Sequence, residues 1–315
     1  MNAGISQLSD LLIGEIVKDF GLPRSAMINQ TFHPFFHRAT DRLARLGVEF
    51  DRTVVEAGIP AAARGLLANF CQPVRTFGSM QVPPDGPLLV LSNHPGTYDS
   101  LVLFSQVNRR DARFISSSIP FVMAFPNASR HFIFATRDMH QRMGVVRQAI
   151  QHLQSGGAVL LFGSGHIDPD PGVYAPAAAV AQIGNWWHSA ELLLKKVPET
   201  RLVLSIISHV VSPGWVRHPI TWLRRQELDR RRLAELGQLV EQLLNPAAVR
   251  LSPHLSLSRP YGLEELRRQA GSEKVMLAVI QLATQLLEDH CTRSSPDSGL
   301  ERLSMPGKNE MFTNI

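Results

Sequence analysis

Apolar and polar positions divide the chain into two kinds of pattern. In the first seventy residues the apolar positions recur at three- and four-residue steps, as with Leu8, Leu11, Leu12, Ile16 and Phe20, which is the period of an amphipathic helix. Gly21-Leu22-Pro23 ends that helix. A second helix is expected from about residue 26 to Gly47, and a third over 52–69 with a kink near Pro60. Residues 1–70 therefore read as an N-terminal helical region.

Beyond Val74 the pattern changes to short, continuously apolar runs separated by helical stretches. Strands are expected at residues 86–91, 112–115, 132–134, 158–162 and 202–207. Helices are expected at 100–107, 139–153 and 186–196. Runs apolar at every position suit strands covered on both faces. Their alternation with helices predicts an α/β fold, a mostly parallel central sheet with helices on both sides, over residues 71–290. Two more helices, at about 220–244 and 272–290, flank a possible strand at 255–257. Residues 291–315, rich in Ser, Pro, Gly and Asn, read as a disordered tail.

Composition narrows the class. Of 315 residues 44% are hydrophobic and 19% charged, which suits a folded chain with a large core. The net charge of +5 fits an anionic partner: a phosphate-bearing substrate, an anionic membrane surface or a nucleic acid. Aromatics at 7% argue against a nucleic-acid stacking platform. Cys71 and Cys291 stand alone, outside any thiolate metal pattern, and read as reduced thiols of a cytosolic protein. The first twenty residues carry Asp10, Glu15 and Asp19 and lack the basic start of a signal peptide. No uncharged apolar run reaches the roughly 18 residues of a membrane span.

The stretch LSNHPGTYDSLVLF, residues 91–104, adds chemistry. A structural turn needs only Asn, Pro and Gly, yet this one also carries His94 and Asp99. In open α/β sheets ligands bind beyond the carboxyl ends of the strands, where His94 falls. Histidine is a general base near neutral pH, most effective when a carboxylate holds its second ring nitrogen. On one continuous helix, five steps of about 100° would put His94 and Asp99 on different faces. Pro95-Gly96 breaks the helix and lets a tight turn bring them together. The bland alternative is a turn histidine followed by a helix-start aspartate.

This segment resembles the first motif, NHxxxxD, of the glycerolipid acyltransferases, the family of lysophosphatidate and glycerol-3-phosphate acyltransferases. The resemblance implies that His94 deprotonates an acceptor hydroxyl, that Asp99 orients His94, and that the hydroxyl attacks an acyl thioester. Phe132-Ile133-Phe134-Ala135-Thr136-Arg137 is similar to the family's second motif, an apolar strand ending F-I-x-R. By that resemblance Arg137 holds the acceptor's phosphate, a role suited to a guanidinium fork. The third motif, F-P-E-G-T-R, is matched by Phe162-Gly163-Ser164-Gly165-His166, with Ser164 in place of Glu and His166 in place of Thr. Gly163 and Gly165 would admit backbone amides to a phosphate or an oxyanion, and Ser164 and His166 could donate to it. The plainer alternative is a glycine-rich turn followed by a rigid exposed loop at 168–172. A strand and proline at 202–213 fit the fourth motif loosely. The resemblance spans residues 73–215.

The expected function is therefore O-acyl transfer, from an acyl-CoA or an acyl-carrier protein as co-substrate, to the hydroxyl of a glycerol phosphate or lysophospholipid. It implies no cofactor, no metal and no nucleic-acid partner. One alternative is a non-catalytic lipid-binding protein on the same scaffold. Another is a serine hydrolase using Ser164, but a G-x-S-x-G elbow needs glycine where Phe162 and His166 stand. His33 and His37 have metal-ligand spacing without the glutamate of a zinc protease motif. The basic segment 218–233, with Trp222, could dock on anionic lipid; the alternative is a solvated helix whose arginines pair with Glu227 and Asp229. The apolar tract 119–126 could line an acyl groove, enter a membrane face or be ordinary core. Peripheral membrane association in the cytoplasm is the expected location.

Overall fold

The computed structural model describes residues 2–23, 25–78, 81–135, 139–186, 189–271 and 274–294. The chain begins with α1 (Asn2–Asp19), α2 (Ala26–Ala57) and α3 (Ile59–Leu67). Ser25 caps α2, its Oγ accepting from Ile28 N at 3.2 Å. The expected helix end at Gly47 is absent, and α2 runs on to Ala57. Gly47 serves close packing instead, because a Cβ there would come within 2.4 Å of the Phe125 ring. The break falls at Gly58, whose φ of +86° suits glycine. Pro60 opens α3 rather than kinking a longer helix.

The sheet region follows as β1 (Arg75–Gly78), β2 (Leu88–Ser92), α4 (Asp99–Val107), β3 (Arg113–Ser117), α5 (Pro120–Met123) and β4 (Phe132–Ala135). Next come α6 (Met139–Gln154), β5 (Ala158–Phe162), α7 (Pro176–Ile183), α8 (Ser189–Lys196), β6 (Arg201–Ser208) and α9 (Pro213–Val216). The chain closes with α10 (Glu227–Leu244), β7 (His254–Leu257), α11 (Leu263–Ala270) and α12 (Val275–Ser294). The helix expected over 220–244 is split: residues Pro219–Leu223 form a 3₁₀ turn, and α10 starts only at Glu227. Residues 291–294, expected at the start of a disordered tail, belong to α12, and 295–315 lie outside the described residues.

Among the described residues the strands form a seven-stranded sheet in the order β1-β7-β6-β2-β5-β3-β4. Every pairing is parallel except β6 with β7. All of β2 is buried, with Leu88 beside Ala158 of β5 and Arg201 of β6. Alternate residues serve opposite faces, as a pleat requires. Leu88 and Val90 join Val203 and Leu160 in a core with residues of α2, α3, α4 and α10. Leu89 and Leu91 join Val159 and Leu204 in a second core with α6, α7, α8, α11 and α12. Burial of each such side chain stabilises the sheet by about 2 kcal/mol. The fold is thus α/β with a mostly parallel sheet covered on both faces, preceded by helices. Among the described residues no helix is long and apolar enough to cross a membrane.

Candidate active site at the carboxyl end of the sheet

The site begins where β2 stops. Asn93 takes over from the strand ladder: its Nδ2 donates to the Ile207 carbonyl at 2.9 Å and its Oδ1 accepts from Ile207 N at 2.8 Å. These bonds fix the outgoing chain against β6. Pro95 then turns it away, and Gly96 passes so close to β6's outgoing loop that a Cβ would lie 3.2 Å from Val210 Cγ2. The turn returns Asp99 beneath His94. The His94 Nδ1 lies 2.8 Å from Asp99 Oδ2, and that oxygen also accepts from Gly96 N at 3.0 Å. The other oxygen accepts from Ser100 N at 2.9 Å.

This geometry assigns the tautomer. The buried carboxylate accepts, so Nδ1 carries the proton and Nε2 keeps its lone pair. The Asp99 side chain is 1% exposed, whereas that of His94 is 24% exposed, so a substrate can reach the ring. Phe162, at the end of β5, holds the ring flat with centroids 4.0 Å apart and planes within 5°. Phe114 of β3 packs its edge on Phe162 at 4.6 Å. His94 is therefore fixed at one nitrogen and one face.

The glycine loop supports this arrangement from beneath. Gly163 is buried, and a Cβ there would lie 2.3 Å from the Trp186 ring. Ser164 is also buried, its hydroxyl donating to the His166 carbonyl at 2.8 Å. Both residues face inward, which leaves Ser164 without an imidazole base. Gly165, with φ of +69°, and His166 are exposed and rim the site. Residues 168–171, read from sequence as an exposed loop in the plainer alternative, are buried. Asp168 accepts from His94 N at 2.9 Å, and its own N–H donates to the His94 carbonyl at 2.7 Å. The Asp170 carboxylate accepts from the amides of Gly172, His209, Val210 and Val211 at 2.7 to 3.2 Å. It thereby ties this loop to the one leaving β6.

The C-terminal third supplies the roof. From α10, Glu235 accepts from Thr97 Oγ1 at 2.7 Å and Gln242 accepts from Tyr98 OH at 2.6 Å. Gln238 bridges the Ser212 amide and the Val210 carbonyl, and Arg231 donates to the Ile167 carbonyl at 3.1 Å. Burial alone would lower the pKa of His94, yet Asp99, Glu235 and Asp168 together raise it above its ordinary value. Burial likewise raises Asp168, and raises Glu235 to about 7.

Sequence reasoning missed Phe162 as a ring support, and missed Asp168, Glu235 and Asn93 as partners of the motif. Asn93 carried a signal in lying next to His94, and Phe162 in opening the third-motif match; Asp168 and Glu235 carried none. Arg137 lies outside the described residues. His33 and His37 stack on α2 at 5.5 Å, and among the described residues no group of three or more His, Cys, Asp or Glu is placed to hold a metal ion. The recesses of 480 and 760 Å³, lined by residues such as Gly86, lie at the amino end of β2, opposite His94.

Comparison with curated proteins returns no match. Among solved structures, one that resembles the chain is the 1-acyl-sn-glycerophosphate (LPA) acyltransferase PlsC from Thermotoga maritima. It is 14% identical, the match covers 93% of this chain and 94% of that chain, and the TM-score is 0.47. The model of the family described as Acyltransferase matches residues 74–184, the stretch that carries β2, the His94–Asp99 turn and the loop after β5. Over residues 74–184 this chain is therefore similar to the acyltransferase family.

Proposed function

We propose that the protein is an O-acyltransferase that moves a fatty acyl group from an acyl-CoA or acyl-carrier-protein thioester to the hydroxyl of a glycerol phosphate or lysophospholipid. The observation that carries this reading is the 2.8 Å contact between His94 Nδ1 and Asp99 Oδ2 within the family-matched segment. Nε2 of His94 takes the proton of the acceptor hydroxyl as its oxygen attacks the thioester carbonyl. The carbon–sulfur bond then breaks, and the imidazolium returns the proton to the departing thiolate. Asp99 keeps the tautomer throughout and stabilises the imidazolium. No covalent enzyme intermediate is needed.

On the acceptor side Gly165 and His166 rim the ring, and Arg137 holds the phosphate by analogy with the family's second motif. The inward-facing Ser164 and Gly163 serve the loop's own shape. The acceptor hydroxyl approaches from the exposed side of His94.

Support for a membrane-facing role comes from the 3₁₀ turn Pro219–Leu223. Trp222 is 69% and Leu223 70% exposed there, beside exposed Arg217 and Arg225. Arg224 closes that turn and donates to the Phe20 carbonyl, two residues before exposed Leu22. Apolar side chains rimmed by cations suit an anionic lipid surface. The pairing of Arg224 and Arg232 with Asp229 answers the solvated-helix alternative for α10 itself, so docking is assigned to the turn before it.

The test is incubation of the purified protein with acyl-CoA or acyl-carrier protein and a panel of glycerol phosphate, lysophospholipids and small alcohols, read by mass spectrometry. Acylated product with a phosphate-bearing acceptor supports the proposal. Lipid binding without turnover on the whole panel favours the non-catalytic alternative.

A further inference from the structure

Three buried carboxylates gather on the turn that carries His94. Asp99 binds Nδ1, Asp168 accepts the main-chain amide of His94, and Glu235 reaches the same turn from α10 through Thr97. Glu235 is separated in sequence from the other two, belongs to no motif and lies outside the family-matched segment. It is 7% exposed, and its Oε2 is held by the Thr97 hydroxyl at 2.7 Å. Its Oε1 is buried and, among the described residues, receives no hydrogen bond. A carboxylate oxygen left bare in this way is costly, and its compensation is electrostatic. His94, three residues before Thr97, is the group whose positive charge would offset it when protonated.

We propose that Glu235 is a positioning residue for the His94 base: its carboxylate, suspended from Thr97, stabilises the imidazolium formed when the acceptor hydroxyl gives up its proton. The proposal deepens the acyl-transfer reading and rests on it. Thr97 thereby acquires a role inside the motif turn. Its side chain carries no proton to the reaction, but it aims a second carboxylate that the turn itself does not contain. The third-motif segment has Ser164 where the related pattern has Glu, so the loop after β5 does not supply this charge at that position.

The charged groups facing this pair come from several elements. His94 and Asp99 come from the turn after β2, Asp168 and His166 from the loop after β5, and Asp19 from α1. Arg231 lies one turn earlier on α10 and is engaged with Glu227, Tyr174 and the Ile167 carbonyl. Among these, Glu235 Oε1 and Asp168 Oδ1 accept no hydrogen bond from the described residues. On this proposal the Glu235 and His94 protons are coupled, and the two should titrate as a pair.

The deciding experiment is an NMR titration of the His94 ring in the full-length protein, assigned by difference with His94→Gln. In Glu235→Gln, which keeps the Thr97 bond and removes the charge, the His94 midpoint should fall by about one pH unit. Glu235→Asp should restore part of the shift, and Glu241→Gln, on the same helix but bound to Trp215, should leave it unchanged. The acid limb of kcat/KM should move with the titration, with kcat falling and the KM for the acyl donor held. An unaltered His94 midpoint in folded Glu235→Gln would overturn the proposal. Should that variant not fold, the wild-type ring decides. Two inflections, one matching the ¹³C-labelled carboxyl of Glu235, support the coupling, and one inflection independent of it refutes it. Absence of acyl transfer by the wild type would sink the function proposed above, while the titration would still decide this one.

Discussion

Asp99 holds His94 through one oxygen that it shares with the turn itself: Oδ2 lies 2.8 Å from the ring Nδ1 and 3.0 Å from Gly96 N. The aspartate therefore shapes the turn and selects the imidazole tautomer together. In Asp99→Asn an amide replaces the acceptor and the wrong tautomer is favoured. Acyl transfer should fall by about a thousandfold or more while a melting curve changes far less. Parallel assay and calorimetry check this, and a loss of activity that merely tracks loss of folded protein would count against it.

The ring face opposite solvent is held by Phe162, 4.0 Å away and nearly coplanar. Phe162→Leu keeps most of the volume but loses the flat contact. Its kcat should drop roughly tenfold, as expected when a base is loosened by a fraction of an ångström. Phe162→Ala should add a destabilisation of roughly 2 kcal/mol by denaturant melting. A leucine variant with wild-type kcat would show that the stack does not orient the base.

Much of this was legible in advance, for definable reasons. β2 up to Leu91 and all of β5 are apolar at every position because both faces are covered, and such runs read directly from sequence. The His94–Asp99 pair was legible because a proline and a glycine stand between its members. Gly47 misled because glycine ends helices and also admits close neighbours, and only the Phe125 ring tells the two apart. β1 could not be read, since its four residues are mostly exposed. Glu235 and Asp168 were illegible because a carboxylate on a helix or in a loop looks solvated until the tertiary fold buries it. Ser164 looked like a donor into the site, but its hydroxyl turns back to the His166 carbonyl.

Burial of Glu235 leaves a mark on stability. Its carboxyl is raised from 4.5 to about 7 in the folded chain. A group raised on folding favours the native state fully below its unfolded pKa, and that contribution is lost as pH rises through the folded value. Glu235→Gln removes the charge, so it should melt above the wild type at pH 8, by up to roughly 3 kcal/mol. The gap should close near pH 5. Thermal scans at both pH values check this, and a pH-independent gap would contradict it.

Asp170 binds four main-chain amides while itself fully buried, and its carboxyl is raised to about 6 by that burial, against the pull of those amides. Asp170→Ala would strand those donors and should cost at least about 3 kcal/mol, loosening the loops after β5 and β6 together. Chemical denaturation measures the cost. A change below about 1 kcal/mol would mean that the loops hold without it.

The exposed pair on the 3₁₀ turn gives a separate prediction. Trp222→Ser with Leu223→Ser should reduce sedimentation with anionic vesicles severalfold and leave the melting curve unchanged, since both side chains are about 70% exposed. Binding should also weaken with added salt. Undiminished vesicle binding by the double variant would place the lipid contact elsewhere.

The proposed reaction turns on the imidazole of His94 removing the acceptor's proton. The most direct measurement is the rate of labelled acyl transfer by folded His94→Ala compared with wild type at saturating donor and acceptor. The account predicts a loss of about a thousandfold or more. Transfer at the wild-type rate would contradict it.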